Sequence, residues 1–259
     1  MKTDAEILKI NKVKGSRHQP RLDQNRIGLR ADVSECWVAN VIVPKSICRE
    51  LVPMPWLEPE RTEAGYMVSF CANFIRRAKT GSSSTKKEPA YWISEIRIAC
   101  RDTRTGEAIN WVDHQYCDRR LESTWSDLIF PKIVASLEIE LGRDLYDHRQ
   151  LNIRTRDNMF NLHLVEYTDV RRITSKAFGN TNDFQRYFSS SARYYSPSSD
   201  PNTSTIIDLN KRGTEWAAME RYFGFLKTAY GNWPVDSVYR SRNGSYEWVY
   251  EGNVTCSSD

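Results

Sequence analysis

Cys36-Trp37-Val38-Ala39-Asn40-Val41-Ile42-Val43, stopped by Pro44, sets the reading of the chain. Its β-branched and aromatic side chains fit a pleated, half-buried surface, and the proline that follows has no N–H to carry a central ladder onward. The same kind of run recurs downstream at Tyr66 to Phe74, Tyr91 to Cys100 and Ala108 to Cys117. Polar Thr80 to Lys87 and the hairpin-like Arg101 to Gly106 separate them, which outlines an antiparallel meander. Between the first two strands, Ser46 to Leu51 reads as a short helical turn. Pro53, Pro55 and Pro59 then make a rigid corner that sustains neither helix nor central strand.

Outward from this block the signals weaken. Residues 1–30 are polar and basic, with Gly15 and Pro20, and read as an irregular N-terminal arm ahead of one domain over 31–259. Phe130 to Leu141, Leu151 to Arg156 and Phe160 to Thr168 continue the β pattern, with a helical start as the alternative over Ile133 to Leu141. Ser189 to Ser204 reads as a long surface loop. Trp216, Met219, Tyr222, Phe223, Leu226 and Ala229 recur at three- and four-residue spacing between Gly213 and Gly231, which predicts a helix over 214–230. Asn243-Gly244 inside Val238 to Val249 predicts a two-stranded hairpin. The expected fold class is α+β, mostly antiparallel β, a barrel or sandwich with a few helices.

Composition excludes several functions. Of 259 residues 40% are hydrophobic and 27% charged, as in ordinary folded proteins. The net charge of +4 comes from 37 basic and 33 acidic residues with the signs interleaved, which is a solvated surface and no nucleic-acid footprint. No apolar run is long enough for a signal peptide or a membrane span, so a cytoplasmic protein with reduced thiols is expected. The six cysteines form no CxxC pair and the four histidines no HExxH, so no metal is expected. Glycine-rich phosphate loops and the GxSxG elbow are absent as well.

One order of elements carries chemistry: the corner Val52 to Pro59, the strand Tyr66 to Phe74, then Tyr91-Trp92-Ile93-Ser94-Glu95, then Pro131-Lys132 with Ala135 following. In order and spacing it resembles the acetoacetate decarboxylase family over about residues 35 to 142. The resemblance implies a cofactor-independent carbon–carbon lyase with no metal, acting on a β-keto acid or related oxo substrate, polyketide-like or of secondary metabolism. It implies that Lys132 is the imine-forming lysine and Glu95 the active-site carboxylate, with Tyr91, Tyr116, Arg120 and Glu122 around the substrate. A small-molecule substrate and a homo-oligomer are the expected partners, with no nucleic acid and no membrane.

The sequence departs from that pattern where the decarboxylases carry a second lysine after the reactive one, because Ile133 stands there. An ordinary lysine, with a pKa of about 10.4, is an ammonium at neutral pH and has no lone pair for a carbonyl. Burial or a neighbouring cation must neutralise it; acetoacetate decarboxylase is the standard example of the latter. Here desolvation by Phe130, Ile133 and Val134 would supply most of the effect. A protein that binds or cyclises small molecules on the same scaffold without imine chemistry is the competing expectation.

Overall fold

The computed structural model describes residues 10–11, 28–80, 90–118, 133–134, 137–143, 145–156, 160–166, 175–189, 192–198 and 203–255. In chain order its elements begin with β1 (Ile10–Asn11), β2 (Gly28–Val43), α1 (Lys45–Leu51), β3 (Leu57–Pro59), β4 (Arg61–Thr62) and β5 (Gly65–Thr80). There follow β6 (Tyr91–Asp102), β7 (Ala108–Cys117), β8 (Ile133–Val134), β9 (Leu137–Arg143), β10 (Arg149–Thr155) and β11 (Phe160–Glu166). The C-terminal part holds α2 (Thr181–Phe188), β12 (Arg193–Pro197), β13 (Thr203–Arg212), β14 (Glu215–Ala218), β15 (Tyr222–Thr228) and β16 (Gly231–Thr255).

Seven strands form a ring in the order β13, β12, β7, β6, β5, β2, β16, and β13 closes the path by pairing with β16 as well as with β12. From β16 a second sheet continues through β15, β11, β10 and β9. Pairing is antiparallel except where β7 meets β12 and β8. The expected class therefore holds: mostly antiparallel β, with two helices among the described residues.

Three sequence expectations are corrected. The span 214–230 is not a helix but β14, a turn and β15, with the Tyr222 N–H donating a turn bond to Met219 O. Along β15 Tyr222, Gly224 and Leu226 are buried while Phe223, Phe225 and Lys227 are exposed, a period of two. The three- and four-residue spacing arose because two strands and their turn were read as one element. Asn243-Gly244 is not a hairpin turn either: β16 runs through it for 25 residues. Within the serine-rich loop, β12 lies between β7 and β13, and its Tyr194 and Tyr195 are both buried. Ile133 to Leu141 contains strands β8 and β9. In the stretch read as an arm, Ile10 and Asn11 pair with Val254 and Asn253, and β2 starts at Gly28.

Alternating side chains divide between two cores. One collects Cys36, Cys71, Ile93, Leu209 and Tyr246 from β2, β5, β6, β13 and β16, with Phe184 and Phe188 of α2. Phe188 touches Arg97 on β6 and Lys211 on β13, strands on opposite sides of the ring, so this core is the ring's interior and α2 covers it. Phe184 stacks on Tyr239 of β16 with centroids 3.6 Å apart. The other core lies on the ring's outer face. There Trp37, Phe70, Ile98 and Trp111 meet Leu51 of α1 and Leu151, Ile153 and Leu162 of the second sheet, and the Trp111 indole donates to Leu51 O at 2.7 Å.

The inward alternation slips by one at a common level on four neighbouring strands. On β2 Ala31 and Val33 face in, then Cys36 and Val38; on β5 Ile75 and Ala78; on β16 Tyr239 and Tyr246. The fourth slip falls between Leu209 of β13 and Trp216 of β14, across Gly213. At two of these slips Gly213 (φ 66°) and Asn243 (φ 56°) take up left-handed backbone, which glycine adopts freely and asparagine tolerates.

Gly224 is the tightest approach in the second sheet. A Cβ there would lie 1.8 Å from the backbone oxygen of His163 on β11. Gly224→Ala is expected to lower stability by about 1–3 kcal/mol, the usual cost of overpacking. A urea midpoint equal to that of the parent protein would show that β11 and β15 do not approach this closely.

Candidate active site

β6 carries the polar groups of the ring interior. Tyr91, Ile93, Glu95 and Arg97 alternate onto its inner face, and all four are buried. On β7 the pairing passes from Gln115 opposite Glu95 to Val112 opposite Arg97, so one extra residue is accommodated between them. That bulge lets Val112 join the inner core while the Gln115 amide still reaches Glu95 Oε2 at 3.4 Å.

Glu95 Oε1 pairs with Arg97 Nη2, both side chains being less than a tenth exposed. The guanidinium lies 4.2 Å from the ring centre of Phe188 and 4.6 Å from that of Tyr194. Burial works against its charge, but Tyr194 and Glu95 outweigh burial and hold it protonated. Its Nε and Nη1 are buried and have no acceptor among the described residues. Buried N–H groups in that state normally find a partner, because leaving them unmet costs roughly 1–3 kcal/mol each.

Lys211, on β13, continues the inward row of Ile207 and Leu209. Its Nζ sits 4.6 Å from the Phe188 ring and 5.7 Å from the Tyr246 ring. Burial first, and then the Arg97 cation, push its pKa down from 10.5 to about 7. Cys36 and Cys71 face the same space, and burial pushes the Cys36 thiol up to about 12 and the Cys71 thiol up as well. The interior thus combines a fixed cation, a carboxylate and an amine that is largely neutral just above neutral pH.

The structure brings together some of the sequence-derived residues and separates others. Glu95 and Tyr91 share the interior. Tyr116 lies on the other face of β7, against Phe160 of the second sheet at 5.6 Å, and is separated from Glu95. Lys132, Arg120 and Glu122 lie outside the described residues. Ile133, next to Lys132, pairs in parallel with Gln115, the strand partner of Glu95. Sequence reading singled out neither Arg97 nor Lys211. Parity held the signal, since Ile207, Leu209 and Lys211 alternate in one strand.

The chain superposes on acetoacetate decarboxylase from Legionella pneumophila with a TM-score of 0.50 and 12% identity, covering 93% of this chain and 92% of that one. The fold is acetoacetate decarboxylase-like. It is similar too to the enduracididine biosynthesis enzyme MppR complexed with pyruvate, at a TM-score of 0.50 and 10% identity, over 94% of this chain and 93% of that one. No protein-family model matches the sequence, and no curated protein does. Among the described residues no helix is long and apolar enough to cross a membrane, and no group of three or more His, Cys, Asp or Glu is placed to hold a metal ion.

Two outcomes test the interior. Glu95→Gln strips Arg97 of its carboxylate and is expected to cost about 3–5 kcal/mol, the usual penalty for breaking a buried pair; denaturant unfolding reads it, and a loss under 1 kcal/mol would place the pair in solvent. Lys211 binds its proton less tightly folded than unfolded, so between pH 7 and 10.5 the unfolded chain carries more protons and stability rises with pH. Above pH 9 the buried thiols act in the opposite sense. Between pH 7 and 8.5 the parent protein should gain up to about 1.4 kcal/mol per pH unit relative to Lys211→Met. Parallel stability curves for the two proteins would exclude a neutral Lys211.

Proposed function

We propose that this chain is a cofactor-independent enzyme that takes a small β-keto acid or related oxo acid into the ring interior and forms an imine with it through Lys132. The reading is supported above all by one adjacency: the backbone just after Lys132 lies on β7 beside Gln115, whose side chain reaches Glu95. An imine mechanism needs an amine and a proton-handling carboxylate within reach of one small molecule. Two solved structures of the same fold are an acetoacetate decarboxylase and an enzyme with pyruvate bound, both of which act on or hold a small oxo acid.

The protonated imine is an electron sink. It stabilises a carbanion at the neighbouring carbon, so loss of carbon dioxide, aldol cleavage or condensation, and dehydration are all open to it. Glu95 would move protons to and from that carbon, with Arg97 keeping its carboxylate in place. With Ile133 in the position of a second lysine, Lys132 depends on desolvation for a free lone pair. A homo-oligomer in the cytoplasm belongs to the same reading.

Borohydride added with acetoacetate or pyruvate is expected to fix an adduct on the peptide containing Lys132. Lys132→Ala is expected to lower turnover at least a thousandfold. Turnover that survives in that variant removes Lys132 from the mechanism.

A further inference from the structure

We infer that Lys211 is a second imine-forming lysine, condensing with small oxo acids whose carboxylate is held by the open N–H groups of Arg97. The inference rests on the reading of the ring interior as an oxo-acid site but not on Lys132. Three observations carry it. Lys211 and Arg97 both stand on the ring of Phe188, 4.6 Å and 4.2 Å from its centre. Arg97 spends one nitrogen on Glu95 and leaves buried Nε and Nη1 without acceptors among the described residues, an arrangement that an anion would complete. Lys211 is only partly buried as a residue, so part of it meets solvent while its Nζ lies beside the Phe188 and Tyr246 rings.

Charge balance selects the substrate class. The Glu95–Arg97 pair is neutral overall, and an unprotonated Lys211 adds nothing to it. In the condensation the amine lone pair forms the N–C bond, and the carbonyl oxygen leaves as water with one proton from the amine and one from solution. The product is a protonated imine, which places one positive charge in a desolvated space. A neutral ketone leaves that charge uncompensated; an oxo acid brings the balancing carboxylate and seats it on Arg97.

Reductive trapping with cyanoborohydride in the intact protein and in Lys132→Ala, followed by peptide mapping, tests this without requiring a Lys211 variant to fold. With pyruvate as probe, the expected result is an adduct on the Lys211 peptide in both proteins, at least tenfold above every lysine peptide other than that of Lys132 and forming faster as pH rises through about 7. Acetone should trap there at least tenfold more slowly than pyruvate, and Arg97→Met should erase that preference. An unmodified Lys211 beside an adduct on Lys132 overturns the inference and leaves the proposed function standing. No adduct on either lysine with pyruvate or acetoacetate overturns both. Equal trapping of acetone and pyruvate at Lys211 overturns the role of Arg97.

Discussion

Closure of the ring by the pairing of β13 with β16 is the constraint on which the rest of the protein depends. An open sheet can leave one face to water, but a closed one assigns every second side chain to an interior that must be filled or paired. That rule explains why the inward rows of β2, β5, β6, β13 and β16 are apolar almost throughout. It explains too why four adjacent strands change phase at one level. A slip on a single strand would send its inward residues outward, and only a slip shared with the neighbours preserves both cores.

Against that background the few polar groups inside are conspicuous. Arg97 and Lys211 are both cationic side chains in ordinary water, yet the same surroundings treat them differently. A guanidinium is too basic to give up its proton and must be matched, which Glu95 does in part. A lysine can escape the cost of burial by becoming neutral, and in doing so it gains a lone pair. The same interior thereby holds one cation that is matched and one amine that is pushed toward neutrality, from residues that differ little in a composition table.

Much of the ring was legible in the sequence, because β2, β5, β6 and β7 have long runs of β-branched and aromatic residues with clear punctuation. The closing strands were not. Tyr194-Tyr195 sit among serines, Trp216 to Leu226 imitate a helical stripe, and Asn243-Gly244 imitates a turn. In each case local composition pointed one way and pairing with a distant strand decided otherwise. The site was half legible for the same reason. Glu95 stands in a well-marked strand, whereas Lys211 becomes visible only once β13 is known to be a strand with an inward row. Tyr116 illustrates the converse: it is an aromatic beside Gln115 in sequence, placed on the other face by the plain alternation of β7.

β16 belongs to both sheets. Its first residues pair with β15 and its later ones with β2 and β13, within a single strand from Gly231 to Thr255. A protein whose layers were joined only by loops would have a seam along which one layer could melt while the other persisted. Here the shared strand runs through both hydrogen-bonded systems, so fraying of the second sheet draws directly on the ladder that closes the ring. The two layers are tied into one cooperative unit, and the integrity of the interior chemistry is set in part by strands that never touch it.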